Sequence, residues 1–321
     1  MTRIAYIDIA KSLALICVIL SHSVGNAYTS FSYGFMIPSF FILSGVTIKN
    51  ISILQKAKRL LVPYVIFNIF ILLLTTFSGQ RTVTLTHWIG VIYSRFSLYP
   101  LSETQNTIWM NVGNSPTWFL TAMFMSFIFL KGILFFQKES IRLSICTLYL
   151  IVTILLTNLK ILLPWSIDSA MLFALFMYAG TKLKIFFSNR VFLNKTTFFI
   201  GSVIYGIGYY LNTYINLSIR DYGESVLLVL INGIVGSLLL IRLSMHINKS
   251  CMCNILTNLN KGAITTFCIQ MPLLIISSKI AFLIIPNNVL FATLFQVVFT
   301  LIIGLYIAKF FNPILKWFYN L

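Results

Sequence analysis

Charged side chains are scarce in this chain of 321 residues, of which only 9% are Asp, Glu, Lys or Arg. A soluble domain carries about 25% charged residues and about 45–50% apolar ones. Here hydrophobic residues make up 59% of the chain, and the mean hydropathy is +0.93. This balance excludes a soluble globular domain and a disordered chain, because both need many more polar side chains.

Cysteine and histidine are also few, with five and three copies. So few cysteines exclude a disulfide-rich secreted scaffold. Cys251 and Cys253 are close in sequence, but no further Cys or His lies at the spacing of a zinc site. His87 and His246 are predicted on opposite sides of a membrane. We therefore expect no metal site.

Acidic residues are the scarcer charged type: 6 Asp and Glu stand against 23 Lys and Arg, which gives a net charge of +17. In a soluble protein this excess would indicate nucleic-acid binding. In a membrane protein, however, basic residues collect in the cytoplasmic loops. Membrane topology therefore explains the excess better, and no nucleic-acid partner is expected.

Apolar runs of about 20 residues recur along the chain, and each is long enough to cross a bilayer as a helix. They predict an all-α integral membrane protein, a bundle of about ten transmembrane helices that forms a single domain over 1–321. The approximate spans are 6–27, 31–49, 60–78, 116–137, 141–159, 167–187, 196–215, 224–245, 262–284 and 289–311.

Polar or helix-breaking segments are predicted to separate these spans, among them the basic run 56–59 and the polar stretch 80–115. With the N-terminus in the cytoplasm, 18 of the 23 basic residues fall on the inner side. This asymmetry predicts that both termini are cytoplasmic. The basic residues assigned to the outer side are Arg81, Arg95, Lys160, Arg220 and Lys279.

The first span carries three ionisable residues, Asp8, Lys11 and His22, and such residues are costly in a membrane and indicate function. Lys11 and His22 are eleven positions apart, so they share one face of a helix, about 16 Å apart along its axis. Asp8 lies one turn before Lys11 and can pair with it. The spacing fits a ligand with an anionic head at Lys11 and a long arm, such as pantetheine, that reaches His22.

More than one interpretation stays open for the Asp8–Lys11 pair and for His22. Asp8 and Lys11 either bind the anionic head of such a ligand or form a plain ion pair at the membrane interface. In the second case the Lys11 stem extends so that its charge reaches the lipid headgroups. His22 is either a general base for a hydroxyl or a buried, hydrogen-bonded histidine. As a nucleophile, His22 would instead form a covalent bond to a group that is being transferred.

Motifs in several spans follow one another in a familiar order. In the first span, Arg3, Tyr6, Asp8 and Lys11 precede His22, with ten positions between the last basic residue and the histidine. The later motifs are Pro38-x-Phe40-Phe41-x-x-Ser44-Gly45, Arg59-x-x-x-Pro63-Tyr64, Pro116-Thr117-Trp118-Phe119-Leu120 and Ile167-Asp168-Ser169-Ala170 leading to Tyr178-Ala179-Gly180. Together they resemble the acyltransferase-3 family of bacterial membrane acyltransferases.

The resemblance implies a helical bundle in the bacterial cytoplasmic membrane that takes an acyl group from cytoplasmic acetyl-coenzyme A or another acyl-coenzyme A. The acyl group would go to a hydroxyl of a cell-surface or lipid-linked carbohydrate at the outer face. His22 matches the family's catalytic histidine, and Lys11 matches the basic residue of its hallmark. Many members carry a histidine in the ninth span where this chain has Gln270, which cannot act as a base.

Further charged residues are candidates for binding either substrate. Asp8 belongs with Lys11 on the donor side. Arg81 and Arg95 either bind an acidic polysaccharide or are ordinary loop charges. The basic residues that would attract the donor's phosphates at the inner side are Lys58, Arg59, Lys182 and Lys184.

The acceptor side has its own candidates. Asp168, at the outer end of the sixth span, would orient the imidazole or bind sugar hydroxyls, or is an acid supported by the helix dipole. Trp118 and Trp165 offer flat faces to sugar rings, or anchor the outer interface. Ser44 is a further substrate-binding candidate, although Ser44 and Gly45 also suit close packing against another helix.

A transporter or flippase of a polysaccharide intermediate, without acyl chemistry, is the alternative function, because sparse polar residues in a bundle can line a pathway. The sequence shows no inverted repeat and no pair of broken helices in matching halves. A non-catalytic scaffold fits poorly with three ionisable residues in one span.

Overall fold

The computed structural model describes residues 4–77, 84–95, 98, 115–188 and 194–320, and this part of the chain contains twelve α-helices and no β-strand. The first six helices are α1 Ala5–Ser21, α2 Met36–Thr47, α3 Ile53–Phe77, α4 Leu85–Tyr93, α5 Trp118–Phe135 and α6 Glu139–Leu156. The other six are α7 Ile167–Leu183, α8 Lys195–Leu211, α9 Val226–Ile247, α10 Met252–Lys261, α11 Ala263–Ile284 and α12 Val289–Asn320.

Each of the ten predicted spans falls on one of the longer helices. Eight helical segments of the described chain have the length and hydropathy to cross a membrane, and α1 and α8 have 17 residues each. The outward surface of the bundle is apolar: α6 buries only Thr153, and its exposed side chains include many Leu and Ile. Such a surface is stable against lipid. The chain is an all-α, multi-pass membrane protein, as predicted.

The predicted limits of the first span, 6–27, are wrong at the C-terminal end, because α1 ends at Ser21 and His22 is its cap residue. The side chains of Ser21 and His22 both form hydrogen bonds to the last turn of α1. Ser21 Oγ lies 2.8 Å from the Val18 carbonyl oxygen, and His22 Nδ1 lies 2.7 Å from the same oxygen. Such bonds compete with the helix ladder and favour its end. The chain continues into a short 3₁₀ segment, Asn26–Ser32.

The predicted break at 56–59 is also wrong, since α3 begins at Ile53 and runs through the basic residues without interruption. Lys and Arg are good helix formers, and their long stems carry the charge away from the apolar region, so the charge itself does not end the helix. The last helix likewise continues past the predicted limit at 311 to Asn320.

Two short helices, α4 and α10, lie between the predicted spans. The amphipathic α10 packs against α1, and Ser12 Oγ donates a hydrogen bond to the Leu256 carbonyl oxygen at 2.6 Å. Hydropathy averaged over a long window does not reveal a helix of ten residues with a polar face. This helix brings Asn260 beside α1, where it contributes to the site described below.

Helix α2 is packed against α7 at the centre of the bundle, with α1, α5 and α9 around them. Two glycines allow the close approach. A Cβ atom at Gly45 would lie 1.9 Å from the Met177 carbonyl oxygen, and one at Gly180 would lie 2.2 Å from the Ile42 carbonyl oxygen. The prediction that Gly45 permits close packing is confirmed.

Replacement of Gly45 by alanine is expected to destabilise the protein by about 1–3 kcal/mol or more, because the added methyl group meets backbone rather than a movable side chain. Gly180→Ala should do the same. The measurement is the thermal unfolding temperature of the purified protein in detergent. Gly206→Ala is the control, since a Cβ there has no neighbour within 4 Å. Equal unfolding temperatures for Gly45→Ala and Gly206→Ala would refute the close packing.

Candidate functional site

A cavity of about 380 Å³ lies beside the C-terminal end of α1, and we call it the His22 cavity. Its volume lies within the range of about 300–1,000 Å³ that small-molecule sites usually have. Its polar lining residues are Ser21, His22, Asn26, Asn216 and Ser218. Its aromatic lining residues are Tyr33, Trp118, Tyr214 and Phe267.

A second cavity of about 290 Å³ lies further towards the N-terminus of α1, and we call it the Lys11 cavity. Its polar lining residues are Lys11, Ser44 and Asn260. The rest of its wall is apolar and includes Leu15, Phe40, Leu60, Phe119, Leu120, Met123 and Phe267. Phe267 of α11 lines both cavities, so its side chain lies where they meet.

The hydrogen bond of His22 fixes which ring nitrogen can act as a base. Nδ1 lies 2.7 Å from the Val18 carbonyl oxygen, and a carbonyl oxygen only accepts. Nδ1 therefore carries the hydrogen, and the neutral ring has its lone pair on Nε2. The backbone contact sets both the tautomer and the ring orientation, as the carboxylate of a Ser-His-Asp triad does for its histidine.

Gln296 of α12 holds the turn that follows His22. Its Oε1 accepts a hydrogen bond from the Val24 backbone N–H at 2.9 Å, and its Nε2 donates to the Leu274 carbonyl oxygen at 2.9 Å. The side chain is buried, at 2% exposure. One amide thereby ties the His22 turn to α11 and α12, and its position was not predicted from the sequence.

The donor-side candidates meet around the Lys11 cavity. Lys11 is half-buried in its wall, Ser44 lines it from α2, and Asn260 lines it from α10. Asn260 Nδ2 donates to Asp8 Oδ1 at 2.6 Å, which brings the predicted acid to the edge of the same cavity. Lys58 and Arg59 lie on the first turns of α3 and are not among the described residues that line the cavity.

The two candidate tryptophans have different surroundings. Trp118 is buried at the start of α5, lines the His22 cavity and packs on the Phe173 ring with centroids 6.1 Å apart. Trp165 donates from Nε1 to the Ile92 carbonyl oxygen at 2.8 Å and packs on Phe124. The described lining of the His22 cavity includes Trp118 and does not include Trp165.

Asp168 lies in a buried ion cluster rather than against His22. Its Oδ1 accepts from Arg95 Nη2 and from the Ser169 backbone N–H, and its Oδ2 accepts from Arg220 Nη1 at 3.0 Å and the Leu163 backbone N–H at 3.1 Å. A carboxylate has about four acceptor positions, and these four contacts occupy them. The described lining of the His22 cavity does not include Asp168.

The two arginines extend the cluster to three connecting segments. Arg95 donates to the carbonyl oxygens of Leu163 and Ser218, at 3.0 and 2.8 Å, and Arg220 donates to those of Ile161 and Leu159. The cluster thus joins the segment after α4 to the α6–α7 and α8–α9 connections. Ser218 is part of the wall of the His22 cavity. The cluster therefore positions that wall.

Arg95 is 1% exposed and pairs with Asp168. Its charge is therefore used within the protein and is not presented to an acidic polysaccharide. Burial lowers the pKa of its guanidinium, and the neighbouring Asp168 carboxylate opposes this shift. Arginine side chains stay protonated in proteins, so the guanidinium keeps its charge beside this carboxylate. Arg81, the other residue of that hypothesis, lies outside the described residues.

The His22 cavity has no Lys, Arg, Asp or Glu among its described lining residues. A ligand there meets aromatic faces, amides, hydroxyls and one imidazole. The Lys11 cavity has a single cation beside a long apolar wall. The pair of cavities therefore suits a polar, uncharged ligand at His22 and an amphipathic anion at Lys11. Among the described residues, no three His, Cys, Asp or Glu side chains are grouped closely enough to hold a metal ion.

A multi-pass helical membrane protein with two cavities that share Phe267, one lined by Lys11 and one by His22 of the same helix, fits the class of membrane group-transfer proteins. The chain belongs to the acyltransferase-3 family, because the family model described as an acyltransferase domain matches residues 4–309. Neither a comparison with curated proteins nor one with solved structures finds a match. The family predicted from the first-span hallmark is confirmed, and with it acyltransferase activity as the class of function.

Proposed function

We propose that this protein transfers an acetyl group, or another short acyl group, from acyl-coenzyme A to a hydroxyl of a cell-surface or lipid-linked carbohydrate. The observation that carries the proposal is the pair of adjoining cavities, one with a cation and one with an imidazole whose Nε2 is the basic nitrogen. The donor would place its anionic head near Lys11. Its pantetheine arm would extend along α1 towards His22.

The proposed reaction is a direct transfer. Nε2 of His22 accepts the proton of the acceptor hydroxyl as its oxygen attacks the thioester carbonyl carbon. The new C–O ester bond forms, and the C–S bond breaks. The leaving coenzyme A thiolate then takes the proton from the imidazolium, which returns His22 to its neutral form. Every proton is accounted for, and no metal or redox partner is required.

The lining of the His22 cavity supports a carbohydrate acceptor. Trp118, Tyr33 and Tyr214 present aromatic faces for the apolar faces of sugar rings, while Asn26 and Asn216 present amides for hydroxyl groups. The absence of Lys, Arg, Asp and Glu from the described lining favours an uncharged sugar unit around the reacting hydroxyl. A bacterial cytoplasmic membrane, with the Lys11 side facing the cytoplasm, is the location that this reaction requires.

Lys11→Ala is expected to raise the KM for acetyl-coenzyme A by about 10–100-fold, because a charge-assisted contact contributes about 1.5–3 kcal/mol. The kcat should change much less, since Lys11 lies far from the reacting atoms. Steady-state release of coenzyme A thiol by purified protein, with carbohydrate from the cells as the acceptor, measures both constants. Lys249→Ala, which removes an exposed lysine from the turn after α9, is the control. An unchanged KM in Lys11→Ala would exclude the donor role of Lys11.

Nuclear magnetic resonance of surface carbohydrate from cells with and without the protein tests the proposed function as a whole. Cells with the protein should show O-acyl signals that cells without it lack, and the spectrum identifies the acyl group and the hydroxyl. A transporter would instead change the amount of exported carbohydrate and leave its acylation unchanged. Identical acylation in both samples would contradict the proposal.

A further inference from the structure

Phe267 occupies a position that no other described residue shares: it lines both the His22 cavity and the Lys11 cavity. Its side chain is buried, at 5% exposure. If the donor binds at Lys11 and the acceptor at His22, the thioester has to meet the hydroxyl at this junction. Phe267 therefore lies between the two proposed substrate sites.

The neighbours of Phe267 make the junction narrow. Its ring lies against Phe119, with centroids 5.2 Å apart and the planes at 53°. Phe119 lines the Lys11 cavity, and the adjacent Trp118 lines the His22 cavity. The start of α5 thus forms one side of the junction and Phe267 of α11 the other. Aromatic rings are rigid, so a wall made of them discriminates by size.

The helix around Phe267 is suited to movement. Pro272 lies inside α11 and lacks an N–H, so the Cys268 carbonyl loses its usual helix hydrogen bond. Gln270 is fully buried, and neither of its amide atoms has a hydrogen-bond partner in the part of the chain that the structure describes. An unpaired buried amide costs free energy. Both features lower the cost of shifting the turn that carries Phe267.

We propose that Phe267 is the gate between a donor cavity and an acceptor cavity, and that its side chain limits the length of the acyl group that can be transferred. This inference rests on the proposed acyl transfer and adds the determinant of donor specificity. A short acyl group passes the Phe267 ring, whereas a longer acyl chain is blocked by it. The natural donor is accordingly a coenzyme A ester of a short acyl group such as acetyl.

Phe267→Ala tests the gate through the chain-length preference. The probes are acetyl-, butyryl- and hexanoyl-coenzyme A, with carbohydrate from the cells as the acceptor, and the readout is release of coenzyme A thiol by the purified protein. The ratio of kcat/KM for hexanoyl- to acetyl-coenzyme A should rise by about tenfold or more, because even one methylene in a tight pocket changes discrimination by about tenfold. Leu273→Ala is the matched control, a buried truncation on the same helix that lines neither cavity among the described residues.

Phe267→Trp gives an independent test, because it leaves no void in the packing that could destabilise the protein as Phe267→Ala could. The larger ring should lower kcat for acetyl-coenzyme A by about tenfold or more, while the Kd of coenzyme A itself stays within about threefold of the original value. Unchanged chain-length preference in Phe267→Ala, or unchanged kcat in Phe267→Trp, would overturn the gate. Original protein that releases thiol from none of the three esters would instead overturn the acyl transfer on which the gate rests.

Discussion

His22→Ala is expected to lower acyl transfer by about 10²–10⁴-fold, which is the usual contribution of a general acid–base group. The variant removes the only imidazole among the described lining residues of the two cavities. The Kd of coenzyme A should stay near its original value, because the proposed donor site lies at the other end of α1. The measurement is transfer of radiolabelled acetyl groups from acetyl-coenzyme A to carbohydrate, together with coenzyme A binding.

His246→Ala is the control for this experiment, since His246 is exposed in the last turn of α9. It should transfer at the original rate. His22→Gln is a second informative variant, because its amide can keep a contact with the Val18 carbonyl but cannot accept a proton at neutral pH. Transfer by His22→Gln or His22→Ala at the original rate would exclude His22 as the base.

Asp168→Asn is expected to destabilise the protein rather than only inactivate it. The substitution leaves Arg95 and Arg220 buried beside a neutral amide, and removal of one partner from a buried ion pair costs about 3–5 kcal/mol. The unfolding temperature in detergent should fall by about 6–20 °C, and the yield of folded protein should fall with it. Size-exclusion chromatography and thermal unfolding measure both quantities.

Glu224→Gln is the matched control, because it neutralises an exposed acid in the loop that also carries Arg220. Its unfolding temperature should be unchanged. The alternative from the sequence, in which Asp168 orients the imidazole or binds sugar hydroxyls, predicts a different result. Asp168→Asn would then be as stable as the original protein and yet inactive. That outcome would assign Asp168 to the chemistry rather than to the loops around the cavity.

The long apolar helices and their order were predictable because hydropathy acts locally. A run of about 20 apolar residues has one stable state in lipid, whatever surrounds it. The positions at which helices begin and end were less predictable, because individual side-chain contacts determine them. The end of α1 depends on two side chains that bond to Val18, and the start of α3 depends on how well the basic residues 56–59 tolerate a helix.

The site was predictable where its residues share one helix. The spacing of Lys11 and His22 places them on one face of α1, and the structure places them in adjoining cavities. Residues from distant segments gave weaker signals. Gln296 and Asn260 are polar residues in or near membrane spans, and such positions can indicate a functional role. Phe267 is one of 29 phenylalanines, and nothing local distinguishes it.

Asp168 shows the limit of the sequence most clearly. Its acidity favoured a functional role, whereas its position at a helix start equally favoured an acid supported by the helix dipole. Its partners were not visible, because Arg95 and Arg220 are 73 and 52 positions away and lie in connecting segments without periodicity. Only the assembled bundle shows that the four acceptor positions of the carboxylate are occupied.

The central claim is that donor and acceptor bind at opposite ends of α1, with Lys11 at the cytoplasmic end and His22 at the outer end. Membrane vesicles of known orientation test it with radiolabelled acetyl-coenzyme A, which is too highly charged to cross a bilayer. Inside-out vesicles, which expose the Lys11 end, should label their carbohydrate, and right-side-out vesicles should not. Labelling by right-side-out vesicles alone, or equally by both, would contradict the claim.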